Sequence, residues 1–115
     1  MKVFVICTVR KANKGYIDKL NRYVHELEIG GANVHLPYRD TNQLESGINI
    51  CKQNREAILN SDEVHIFYNP DSQGTHFDMG MAFAFQKKIH VIENIKYKEG
   101  KSYPRMIDEW EKDNK

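Results

Sequence analysis

The segment from Ser61 to Phe85, SDEVHIFYNPDSQGTHFDMGMAFAF, constrains the fold more than any other part of the chain. Glu63 to Tyr68 is a β-branched and aromatic run, Asn69 to Gly74 is turn chemistry, and Thr75 to Phe85 sets Phe77, Met81 and Phe85 along one helical side. This order predicts a strand, a polar loop and a helix. Asp78 then falls in the first turn of the helix, just past the carboxyl end of a central strand, where open α/β sheets bind ligands.

The same alternation runs through the rest of the chain. Lys2 to Cys7 predicts a short apolar strand, and Tyr16, Ile17, Leu20, Tyr23, Val24 and Leu27 follow a helical face that stops at Gly30 and Gly31. Asn33 to Leu36 reads as a second strand, YRDTNQ as a polar loop, and Glu45 to Leu59 as a second helix with Ile48, Cys51 and Ile58 on one face. Lys88 to Glu93 gives a fourth strand. Ser102 and Pro104 open a last helix carrying Met106, Ile107 and Trp110. The expected architecture is one α/β domain over residues 1–115: a small doubly wound, flavodoxin- or Rossmann-like parallel sheet of about four strands. Its order is 2-1-3-4, with helices on both faces.

That order puts the reversal between strands one and three, so their following loops flank one crevice. The first loop brings Thr8, Val9, Arg10 and Lys11; the second brings Asn69 to Gly74, with Thr75 to Asp78 opening a helix. Hydroxyls, a guanidinium, helix-start amides and a carboxylate suit a phosphorylated small molecule. Each residue also has a plain structural reading. Thr75 and Asp78 fit a capping-box variant, Gly74 a tight turn, Ser72 a loop hydroxyl and Arg10 a solvated charge.

Composition removes other classes. At 115 residues the chain can bury about 65% of its unfolded surface, enough for one core without staples. A net charge of +1 and a pI near 7.8 do not call for nucleic acid or a membrane surface as partner. No apolar run approaches the roughly 20 residues of a membrane span, and VFVIC at the amino end reads as a strand rather than a signal peptide, so a cytoplasmic protein is expected. Cys7 and Cys51 have no CxxC partner and are expected as reduced thiols. The dispersed histidines give no metal-site spacing, and His65 and His90 are expected to be structural. No metal is expected.

The run from Ser61 to Ile92 resembles the nucleoside 2-deoxyribosyltransferase family, whose loop and helix carry a polar residue, then x-G-x-x-x-E-x-G-x-A, a lysine and a closing strand. The matching residues are Ser72, Gly74, Asp78, Gly80, Ala82 and Lys88. With the first loop and second helix, the resemblance covers about residues 2 to 95. It implies a nucleoside or nucleotide substrate, no cofactor, and a homodimer or higher homo-oligomer. The apolar third helix and Trp110 are candidate subunit contacts. The nucleoside transferases carry an Asp where this chain has Ser72, whereas the nucleoside 5′-monophosphate N-glycosidase branch carries a phosphate-contacting Ser. That branch also has a small-hydroxyl, aliphatic, Arg sequence like Thr8-Val9-Arg10, so the resemblance favours a nucleotide.

By this resemblance Asp78 takes the place of the nucleophilic Glu, one methylene shorter, and Asn54 takes the place of an Asp in the preceding helix. A shift of about 1 Å at a reacting group can cost roughly 100-fold in rate, and an amide cannot act as a general acid or base. His76 and Asp40 are candidate replacements for proton transfer. Thr8, Arg10, Ser72, Gln73, Gly74 and Thr75 are the candidate phosphate contacts. Arg39 and Asn42, with Gln43 and Arg55, are candidates for base or sugar, or else plain surface polars. The leading expectation is cleavage or transfer of the N-glycosidic bond of a nucleoside 5′-monophosphate. The alternative is a non-catalytic nucleotide-binding or sensing module. A flavodoxin-like electron carrier shares the sheet order but is disfavoured by Arg10-Lys11-Ala12 in the first loop and by the lack of an aromatic pair to frame a flavin.

Overall fold

The computed structural model describes residues 1–9, 12–93 and 95–114. Strand β1 (Lys2–Ile6) is buried on both faces after its first residue, as its unbroken apolar run requires for a central strand. Helix α1 (Lys14–Ile29) starts where Asn13 accepts the Tyr16 amide at 2.8 Å and ends at Gly30, with Gly31 at φ +98° turning the chain into β2 (Asn33–His35). Helix α3 (Gly47–Leu59) is capped by Ser46, α4 (Gln73–Ala84) by Ser72 and α5 (Tyr103–Asp113) by Ser102. Strands β3 (Glu63–Ile66) and β4 (Lys88–Val91) complete the ladder.

All strand pairs are parallel and the order is β2-β1-β3-β4, as the alternation implies. Because side chains alternate across a strand, Phe4, Ile6, Val64 and Ile66 point to one face, where they pack with Ile58, Met79, Ala82, Ile107 and Trp110 from α3, α4 and α5. Val3, Val5, Cys7 and Phe67 point to the other, under Leu20 and Val24 of α1. Each core is thus built from one parity of β1 and β3.

Four details depart from the sequence reading. The expected polar loop after β2 contains a single helical turn, α2 (Pro37–Asp40), because Pro37 presets φ and the Asp40 carboxylate accepts the Leu36 amide at 2.9 Å. Helix α4 begins at Gln73 rather than Thr75, since the Ser72 hydroxyl takes the cap. Ile48 is 64% exposed, so the buried face of α3 is carried by Asn54 and Ile58 instead. Trp110, read as a candidate subunit anchor, is buried in the chain's own core with its ring edge-on to Phe83 at 5.2 Å.

Candidate active site

The neighbouring carboxyl ends of β1 and β3 bring their loops into contact. Asn69 Nδ2 donates to Thr8 Oγ1 at 2.9 Å, while the Thr8 amide donates to the Tyr16 hydroxyl at 2.9 Å. Asn69 also accepts the Asp71 amide, which turns the chain toward α4. Ser72 Oγ accepts the Thr75 amide at 3.1 Å and so caps α4. Those hydroxyl oxygens act as acceptors, and the Thr8 and Ser72 hydrogens have no acceptor among the described residues. Arg10, the expected guanidinium, lies outside the described residues.

Asp78 sits in the second turn of α4, not at its capped end, so the capping-box reading of Thr75 and Asp78 is corrected: Ser72 does that work. Only 8% of Asp78 is exposed, and among the described residues no hydrogen bond reaches its carboxylate. Burial pushes its pKa from the usual 3.8 up to about 7. Burial, aided by the Asp78 charge, pushes the Cys7 thiol up to about 12, which leaves Cys7 an inert core residue. Both cysteines are free thiols, as expected.

The other candidates divide by what already holds them. Thr75 is fully buried, its amide is given to Ser72 and its hydroxyl has no partner among the described residues. Gly74 has no positive φ, and a Cβ there would find Ser72 Oγ at an ordinary 4.0 Å, so no tight turn demands it. Gln73 is exposed at the helix start. His76 is clasped: Nδ1–H donates to Ser72 O at 2.7 Å, Nε2 accepts from the Tyr68 hydroxyl at 2.9 Å, and Tyr103 lies edge-on at 5.0 Å.

Beyond β2, Arg39 donates to both Asp40 oxygens, both Glu28 oxygens and Val34 O, and its charge is committed to joining α1, β2 and α2. Partial burial acts to raise the Asp40 pKa, but hydrogen bonds from Arg39 and the Leu36 amide outweigh it and hold the carboxyl below its usual range. A group kept ionised this way is a poor proton donor. Asn42 forms an Asx turn to Leu44 and donates its amide to Gln53. Asn54 is 7% exposed and its Oδ1 accepts from Thr41 Oγ1 at 2.7 Å; Thr41 in turn meets His35 Nε2 at 2.8 Å. Thr41, His35, Tyr16 and Tyr68 are absent from the sequence-based set. Their roles depend on partners that no local pattern marks. His65, in contrast, is satisfied by Tyr23 and Glu63, as a structural strand histidine should be. Among the described residues no His, Cys, Asp or Glu cluster suited to a metal is present, and no helix is long and apolar enough to cross a membrane.

No protein-family model and no curated protein matches the sequence. Solved structures do match. The CMP N-glycosidase BcmB of Clostridium botulinum superposes with a TM-score of 0.65 at 26% identity, covering 79% of this chain and 70% of its own. A 2-deoxyribosyltransferase of Bacillus psychrosaccharolyticus gives 0.66 at 17%, covering 79% and 71%. The Leishmania mexicana 2-desoxiribosyltransferase gives 0.62 at 16%, covering 81% and 64%.

The fold is that of the nucleoside 2-deoxyribosyltransferase-like superfamily. In this fold the Asn69–Thr8 hydrogen bond joins the loops after β3 and β1, while Arg39, Asp40 and Asn42 are hydrogen-bonded beyond β2.

Proposed function

We propose that this chain cleaves or transfers the N-glycosidic bond of a nucleoside 5′-monophosphate, in the manner of the N-glycosidase branch. The observation that carries the reading is Asp78: a buried carboxyl with no hydrogen bond among the described residues, on the helix that follows the central strand β3. The 26% identity to a CMP N-glycosidase supports a nucleotide. In this reading the Thr8 and Ser72 hydroxyls, the exposed Gln73 and Gly74 at the start of α4, and Arg10 receive the phosphate, and Asn54 orients the ligand.

The chemistry follows from the carboxylate. Ionised Asp78 attacks the anomeric carbon as the C–N bond breaks; the base leaves with the bonding electron pair and takes up a proton, and water or another base later displaces the ester. A desolvated carboxylate beneath the developing oxocarbenium centre also stabilises its positive charge. His76 Nε2, freed from Tyr68, is the nearer proton carrier to α4's reactive turn in sequence; Asp40 is engaged by Arg39.

The test is chromatographic detection of free base after incubation with nucleosides and their 5′-monophosphates. Release from monophosphates only, lost in Asp78→Ala, is the expected result. A second reading, a nucleotide-binding module in the cytoplasm, is favoured by the shorter Asp78 and by an amide at Asn54; stabilisation by a nucleotide without product would select it. Homo-oligomerisation is part of the proposal, since Phe77 and Phe83 are 57% and 59% exposed on α4.

A further inference from the structure

Asn54 belongs to a hydrogen-bonded line that runs back to the middle of the sheet. The His35 ring stacks on Phe4 of β1, with centroids 5.2 Å apart and planes 10° from parallel. Its Nε2 lies 2.8 Å from Thr41 Oγ1, and Thr41 donates to Asn54 Oδ1 at 2.7 Å. Thr41 is 3% exposed and Asn54 7%. A hydroxyl has one hydrogen. Because Thr41 spends it on Asn54, the His35 contact must be donated by Nε2–H, which fixes the tautomer of the ring.

The consequence falls on the far end of Asn54. With Oδ1 occupied, the amide can present only Nδ2–H, and no partner for Nδ2 exists among the described residues. The sealed polar atoms without a partner among the described residues are Thr75 Oγ1 and Asn114 Nδ2, and Asn54 Nδ2 is not one of them. A side chain more than nine-tenths buried thus keeps one donor open. Turning the amide round would reverse the whole line: Nδ2 would donate to Thr41, Thr41 to His35 Nε2, and the ring proton would move to Nδ1.

We propose that His35 and Thr41 are positioning residues that hold Asn54 as a hydrogen-bond donor, so that the ligand must offer it an atom with a free lone pair, such as a carbonyl oxygen or unprotonated ring nitrogen. This rests on the reading of Asn54 as a ligand-orienting residue. It makes the chain select against ligands that present a donor at that place, because two opposed donors leave both unpaired in a desolvated site.

Nitrogen-15 NMR of the full chain reads the tautomer directly. Protonation of His35 on Nε2 is expected; a proton on Nδ1 overturns the proposal. Calorimetric binding of the four common ribonucleoside 5′-monophosphates to wild type, Thr41→Val and Thr41→Ser supplies the second arm. Thr41→Val should weaken the preferred nucleotide by about tenfold or more while Thr41→Ser keeps its affinity. Equal affinity in Thr41→Val sinks the positioning role. Should wild type bind none of these nucleotides, the nucleotide reading and the ligand selection fall together, while the tautomer still decides the relay.

Discussion

Asn69 clasps Thr8 through a 2.9 Å hydrogen bond across 61 residues of sequence, and this joins the loop after β3 to the loop after β1. The contact ties the two loops to one another at the carboxyl ends of neighbouring strands. Asn69→Ala should cost about 1 kcal/mol, which lowers the thermal midpoint of a domain of this size by roughly 4–8 °C. Nucleotide affinity should fall with it. Unchanged melting and affinity would mean that other contacts fix the loops.

Asp78 makes both stability and activity depend on pH. Its folded pKa of about 7 lies above the ordinary 3.8, so folding favours the protonated form. That stabilisation is fully present below about pH 4 and is lost as pH rises to about 7, with an upper limit of about 4 kcal/mol. Asp78→Asn should flatten this slope and be more stable than wild type at pH 8. Urea unfolding at pH 5 and pH 8 checks it; parallel pH dependence in the two proteins would contradict the burial argument.

Turnover should run the opposite way. An attacking carboxylate must be ionised, so base release by wild type should rise through about pH 7, and Asp78→Asn should abolish it while retaining nucleotide binding. A rate flat from pH 5 to pH 8 would remove Asp78 from the reacting centre.

Thr75 keeps a desolvated hydroxyl with no partner among the described residues. Valine has nearly the same shape and no such group. Thr75→Val should therefore stabilise the protein by about 1 kcal/mol and leave nucleotide affinity alone. A loss of affinity in calorimetry would show that a ligand reaches this hydroxyl after all.

Phe77 offers an exposed ring on α4, away from the core residues Met79 and Ala82. If copies of the chain associate through this face, wild type should sediment above monomer mass at micromolar concentration and Phe77→Glu as a monomer. A monomeric wild type ends the oligomer proposal.

The elements and their order were legible in one dimension because hydrophobic periodicity and caps are local signals. Alternate residues of β1 and β3 divide between the two cores as their parity demands, and glycine marks where α1 stops and serine where α5 starts. The sheet order then followed from parallel strands and right-handed crossovers, which make the loops after β1 and β3 neighbours. The single turn of α2 escaped notice because one proline and one carboxylate leave no periodic trace.

What each polar side chain is free to do was decided by tertiary structure. Arg39 and Thr75 read as ligand contacts, yet one is spent on Asp40 and Glu28 and the other is enclosed. Asn54 read as a lost acid, and only its contact with Thr41 and His35 shows which end of the amide is open. The raised pKa of Asp78 likewise has no signature in its neighbours along the chain. Desolvation and the choice of hydrogen-bond partner depend on groups brought together from distant parts of the sequence, whereas periodicity and capping are settled within a few residues.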